Sequence, residues 1–243
     1  MANLRWSAIE RSVEMTAFYY LVVVAVFFGA WCWWRLRPGR RAPLQATQVG
    51  GRQIGREMLT SVVSILIFGS ILPLLFALGF GKYTRFYWQI GSRGWLYFVL
   101  SIVLMMVIQD TYFYWSHRLM HSRLLFRWFH RTHHRSVTPN PWTTYSVAPL
   151  EAVVDSGASI LILMLLPVTG LALIIFSWIN TVYAVYGHLG YELLPRRMGR
   201  WINTSTAHNV HHRKGRYNYG WYFLFWDRMM GTLDPGHDER ISS

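Results

Sequence analysis

Four apolar regions, each long enough to enter a bilayer, dominate this chain of 243 residues. A spanning helix takes roughly 20 mostly apolar residues. "MTAFYYLVVVAVFFGAWCWW" at 15–34 meets that length, and so does "MLTSVVSILIFGSILPLLFALGF" at 58–80, where Pro73 predicts a kink. "GWLYFVLSIVLMMVIQDTYFYW" at 94–115 is a third span whose last third turns polar. The fourth region, 147–187, has room for two spans, and "LPVTG" at 166–170 supplies the turn residues of a hairpin. Its halves are short, so a re-entrant pair is the alternative. These regions leave an all-α fold: four to five transmembrane or re-entrant helices carrying a helical cap. Residues 1–93 read as N-terminal membrane helices with a basic loop, and 94–243 as a second region of membrane helices plus the cap.

Composition agrees. Only 14% of residues are charged, against about 25% in ordinary soluble domains. A single cysteine, Cys32, rules out a disulfide framework and sits in an apolar run as a small hydrophobe. The first apolar run has no small-residue cleavage site after it, so it reads as a retained anchor.

The net charge of +13 comes with a pattern. If 35–57 faces the cytoplasm, alternation of the spans puts 116–150 and 188–243 on the same side. Nineteen of the 24 basic residues then lie inside and five outside, as the positive-inside rule expects. The charges flank spans and form no aromatic-interleaved stripe, which argues against nucleic acid. The expected protein is a multi-pass membrane protein of a bacterial inner membrane or the endoplasmic reticulum.

That topology brings two histidine-rich windows to the cytoplasmic side. Five histidines lie in 117–134 (His117, His121, His130, His133, His134) and three in 208–212 (His208, His211, His212), out of ten in the chain. The spacings are H-x3-H, H-x2-H-H and H-x2-H-H. Residues three and four apart share a helix face, so each box is expected to turn two or three imidazoles the same way. Eight imidazoles exceed one ordinary metal site and suit two ions. Imidazole accepts zinc, copper, iron or nickel, so the ligands alone do not choose. Boxes that emerge directly from spanning helices point to a lipid substrate. Two irons with O2 would oxidise its C–H bonds; two zincs would hydrolyse an ester or amide.

"DTYFYWSHRLMH" (110–121), "HRTHH" (130–134), "YGHLGYE" (186–192), "HNVHH" (208–212) and "NYGWYFLFWDRMMGT" (218–232), in that order, resemble the fatty acid hydroxylase / sterol desaturase superfamily of integral membrane di-iron enzymes. The resemblance implies that the eight box histidines hold two iron ions that use O2. It adds His188, by itself a lone histidine at a helix end, as a further ligand. It implies a monooxygenase or desaturase acting on a fatty acyl chain, sterol or lipid head group. The alternative is a membrane-embedded binuclear zinc hydrolase. A non-catalytic metal transporter fits less well, because its histidines would lie along a path within the spans. The chain has no haem segment, cysteine cluster or Rossmann glycine motif, so an external donor (a ferredoxin or a cytochrome b5-like protein with its reductase) is expected to dock on the basic face.

Carboxylates complete the reading. Asp110 lies two turns before His117, and a carboxylate inside a membrane helix usually has a partner. It is expected to orient a ligand imidazole, with headgroup solvation as the alternative. Glu192 is a similar candidate. Glu151 and Asp155 are expected to do the same, or to pair with Arg131 or Arg135. Asn180 is placed near the site. Asp227 and Arg228 read as a structural ion pair, and His237 as solvated. The aromatic stretches at 112–115 and 217–226 are expected to pack or to line an acyl channel.

Overall fold

A computed structural model describes residues 21, 23–34, 36, 43–45 and 49–242. Among them there is no strand, only two isolated bridges, Tyr87–Thr169 and Ile202–Phe223. Helix α1 (Val23–Trp34) lies in the expected first span, whose start at 15–20 falls outside the described residues. Helices α2 (Gly51–Ala77), α3 (Gly94–Met120) and α7 (Gly170–Gly187) are each long and apolar enough to cross a membrane. Helix α6 (Pro149–Leu165) has 17 residues, about 25 Å of rise against a hydrocarbon core of about 30 Å. It turns into α7 as a hairpin.

Local chemistry explains these boundaries. At the hairpin, the Thr169 side chain caps α7 by accepting from the Ala172 N–H at 3.1 Å. The turn is tied to the 84–88 loop by Arg85 N–H donating to Leu163 O at 2.9 Å and Tyr87 N–H to Val168 O at 3.0 Å. Helix α2 starts at Gly51 rather than at 58, because Arg52, Gln53, Arg56 and Glu57 extend it with good helix formers. Pro73 lies inside α2, which continues to Ala77. Helix α3 runs past 115 to Met120, since its polar third turns inward: Gln109, Asp110 and His117 are all buried.

Phe98 and Met105 of α3 pack against Ile162 and Leu163 of α6 and Phe176 of α7. Val23 and Phe27 of α1 pack on Tyr145 and Val185, and Cys32 is half-buried. The outer faces are the reverse of a soluble protein's. Leu59, Leu66, Leu96 and Val103 are exposed, Leu96 by 85%, while Ser61, Ser64 and Ser101 are buried. A bilayer is the solvent that makes such a surface stable.

The cap comprises α4 (Phe126–Phe129), α5 (Arg131–His134), α8 (Ser205–Lys214), α9 (Phe225–Met229) and α10 (His237–Ser242). A buried carboxylate of α2 holds the 136–143 segment that leads from α5 back to the membrane helices. Glu57 accepts from Asn140 Nδ2 at 2.6 Å, Thr143 Oγ1 at 3.2 Å and the Ser136 hydroxyl. Glu57→Ala would strand these three buried donors at about 1–3 kcal/mol each. We expect a loss of about 3 kcal/mol or more, read as a lower midpoint of thermal unfolding, with Glu57→Gln less affected.

Two expectations fail in the C-terminal segment. His237 is buried rather than solvated, because α10 folds onto the 3-10 turn Arg196–Arg200 and its ring Nε2 donates to Gly199 O at 2.7 Å. Asp227 and Arg228 do not pair with each other. Neighbours on a short helix point apart, so Asp227 turns inward to accept from the N–H groups of Tyr219 (2.9 Å) and Gly220 (2.8 Å). Arg228 instead binds Asp238 at 2.6 Å.

Candidate metal centre

Two groups of histidines form where α3, the 121–134 segment, α7 and α8 meet. His117, His121, His130, His134 and His211 make one; His133, His188, His208 and His212 make the other. Within each group, one ring nitrogen per residue lies within 4.8 Å of the others. The groups are neighbours, with the rings of His130 and His133 5.3 Å apart.

The boxes do not each turn one face to one ion. The 130–134 box is broken at His130, which separates α4 from α5 with φ −117° and ψ −11°. His133 and His134 are consecutive, and consecutive side chains on a helix project about 100° apart. His134 therefore joins the first group and His133 the second. His211 and His212 on α8 divide the same way, while His208, one turn before His212, stays with it. Each His–His pair thus delivers one imidazole to each group.

The ring tautomers are set from behind. His117 Nδ1–H donates to Tyr219 O at 2.9 Å, His211 Nδ1–H to Tyr217 O at 2.7 Å and His188 Nδ1–H to Ala184 O at 2.8 Å. Their Nε2 atoms consequently carry lone pairs, and these converge. The Nε2 of His188 is 2.9 Å from that of His208 and 3.2 Å from that of His133. His117 and His130 approach through Nε2 at 2.9 Å, His134 and His211 at 3.0 Å. Nε2 of His121 is buried with no hydrogen-bond partner. Two nitrogens held about 2.1 Å from a shared ion stand roughly 3.0–3.4 Å apart, from a right angle to a tetrahedral one. Converging lone pairs at that spacing fit a cation bound in each group.

Electrostatics point the same way. Burial pulls the imidazoles of His134 and His188 down to about 4. Burial, reinforced by the neighbouring imidazoles, holds His130, His133, His208, His211 and His212 well below the ordinary histidine value. The rings are neutral near pH 7, the form that binds a metal.

Among the carboxylates, the partner of an imidazole is Glu151. Its Oε1 lies 2.6 Å from His130 Nδ1, with both side chains buried. It pairs with neither Arg131 nor Arg135, whose side chains are exposed while Glu151 faces inward. Asp110 instead accepts from the backbone N–H groups of Tyr222 at 2.7 Å and Phe223 at 3.0 Å. It anchors the 217–223 loop, whose carbonyls at Tyr217 and Tyr219 receive the ring N–H groups. Glu192 accepts from the Tyr186 hydroxyl, the Leu194 N–H and both N–H and hydroxyl of Thr206, bracing the start of α8. Asn180 Oδ1 accepts from Trp221 Nε1 and the Tyr222 hydroxyl, each at 2.8 Å. The same loop requires Gly220, where a Cβ would lie 2.2 Å from Phe223 O. Backbone acceptors leave no mark in a side-chain motif, so sequence reasoning missed Tyr217 O and Tyr219 O. The run of Asn, Gly and aromatics at 217–222 was the only signal.

A cavity of about 280 Å³ opens from these rings into the membrane helices. His117, His130, His133, His188 and His208 line one end, and Phe86 and Trp88 are on its wall, between α2, α6 and α7. It is mostly apolar, as a site for a hydrocarbon should be.

Comparison with known proteins gives a consistent picture. The model of the fatty acid hydroxylase family matches residues 102–232. Lathosterol oxidase of Rattus norvegicus is 29% identical over 183 residues, covering 74% of this chain and 61% of its own. A Delta(7)-sterol 5(6)-desaturase of Gibberella zeae is 30% identical over 195 residues, covering 76% and 60%. Lathosterol oxidase of Homo sapiens is 26% identical over 183 residues, covering 74% and 61%. The chain spans about three fifths of the length of these curated relatives. No solved structure matches.

Proposed function

The chain belongs to the fatty acid hydroxylase family, and from that membership we propose that it is an O2-dependent di-iron enzyme that hydroxylates or desaturates a membrane lipid. The observation that carries this reading is the gathering of nine imidazoles, seven of them buried, in two adjacent groups, with five of them lining an apolar cavity between membrane helices. His117, His121, His130, His134 and His211 would hold one ion; His133, His188, His208 and His212 the other. Iron bound there supplies oxidation of a C–H bond by O2, with two electrons and two protons taken up for each oxygen inserted.

The chain's own part is positional. Backbone carbonyls at 184, 217 and 219 and the Glu151 carboxylate orient the rings. Cavity walls exclude water and hold the hydrocarbon against the histidines. Its relatives act, by their names, on sterols, and a sterol or an acyl lipid is the substrate class we favour.

Electrons come from an external donor of the ferredoxin or cytochrome b5 kind. Arg123, Arg127, Arg131, Arg135, Arg213 and Arg216 are exposed beside the boxes and suit an acidic partner. The charge asymmetry of the loops favours the cytoplasmic side for this face. Comparative lipid mass spectrometry of cells carrying the wild type or His133→Ala tests the reading. A lipid shifted by +16 or −2 mass units, present only with the wild type and only in O2, is the expected result. Anaerobic hydrolysis supported by zinc would overturn it.

A further inference from the structure

Glu151 and Asp155 stand one turn apart on α6, both on the wall of the cavity. Glu151 is 3% exposed; one oxygen binds His130, and Oε2 has no hydrogen-bond partner. The Oδ1 of Asp155 is likewise buried without a partner. Among the described residues, no Lys or Arg side chain lines this cavity. Gln109 of α3, Ser159 of α6 and Ser177 of α7 add polar groups to the same wall. Paired carboxylates in an apolar chamber are costly unless hydrogen-bond donors reach them. The unpartnered Glu151 Oε2 and Asp155 Oδ1 leave lone pairs open to a donor, since a carboxylate offers about four. The metal-facing work of the site uses only one of these four oxygens.

We propose that the Glu151–Asp155 pair is the anchor for a hydroxyl group on the lipid, and that Asp155 is the residue that selects a lipid alcohol. This rests on the lipid-oxidising reading above and narrows its substrate class. The hydroxyl donates to Asp155, which fixes how deep the hydrocarbon enters and therefore which carbon faces the histidines. Asp155 acts as a positioning residue, one helical turn from the carboxylate that orients His130. A neutral hydroxyl suits the site better than a charged head group, because the surrounding wall is mostly apolar.

Matched ligands test this directly. Purified full-length protein in detergent is given radiolabelled cholestanol or its methyl ether, and hexadecanol or its methyl ether. Retention is measured at equilibrium, without turnover. An ether accepts but does not donate, so the wild type should retain the alcohol of at least one pair roughly tenfold better or more. Cholestanol and hexadecanol separate a sterol from an acyl alcohol. Hexadecylamine is the third arm, and tighter retention of the amine than of either alcohol would overturn the assignment to a hydroxyl. Asp155→Ala should bring alcohol and ether to within about twofold of each other, while Asp155→Asn, which keeps an acceptor oxygen, should lose less of the preference. Equal retention of alcohol and ether by the wild type overturns the proposal without any variant, and so does a preference that survives in Asp155→Ala. Turnover with a reduced donor and O2 is followed in parallel. Oxidation of both lipids without preference sinks the anchor alone, whereas selective retention without oxidation sinks the oxidase reading alone.

Discussion

His188→Ala is expected to abolish lipid oxidation and to lower bound metal from about two ions per chain to about one. His188 lies outside the three boxes, at the end of α7, yet its Nε2 is within 3.2 Å of those of both His133 and His208. The second group has four imidazoles and the first has five, so losing His188 leaves three, with no spare ligand. Disturbing a group that merely orients a metal ligand costs about 10–100-fold in affinity or activity. Removing the ligand itself should cost at least a hundredfold. Metal analysis of the purified variant, beside oxidation of the identified lipid, measures both effects. Two tightly held ions in His188→Ala would remove this residue from the coordinating set.

Glu151→Leu is expected to weaken metal binding at the five-histidine group by about 10–100-fold, with a matching fall in activity. The carboxylate fixes His130 through Nδ1 at 2.6 Å and so determines where His130 Nε2 points. Glu151→Gln keeps an acceptor oxygen and should lose less. Metal competition against a chelator reads the effect without turnover. The contrast is Asp110→Asn, which acts through the 217–223 loop, so its loss should appear first in stability. An unchanged chelator midpoint in Glu151→Leu would rule out an orienting role.

Much of this was legible in the residues. Apolar runs of spanning length need no partner to declare themselves, since each backbone polar group in lipid must be satisfied within its own helix. The hairpin at 166–170 was legible because Pro and Gly punctuate it. The histidine boxes were legible because imidazoles crowd two short windows at helical spacing, a pattern that suits shared cations better than surface charge. Carboxylate roles were harder. Asp110 precedes a box by two helical turns while Glu151 and Glu192 lie farther from any box, so helical spacing favoured Asp110. Its register on α3 turns it to the 222–223 backbone, while Glu151 reaches His130 across 21 residues from a different helix. Helical spacing measures neighbours on one helix and cannot rank partners on another.

The division between sequence and structure is clearest at the two His–His pairs. Local chemistry alone determined that the chain is a helical membrane protein, that its histidines gather at one end of its spans and that there are enough of them for two ions. Which histidine serves which ion depended on where the backbone breaks at His130 and how α8 lies against α5. Those are properties of packing between distant segments. The 100° step between consecutive helical residues turns His133 from His134, and His211 from His212. Only the assembled cap decides that the two halves of each pair find different partners.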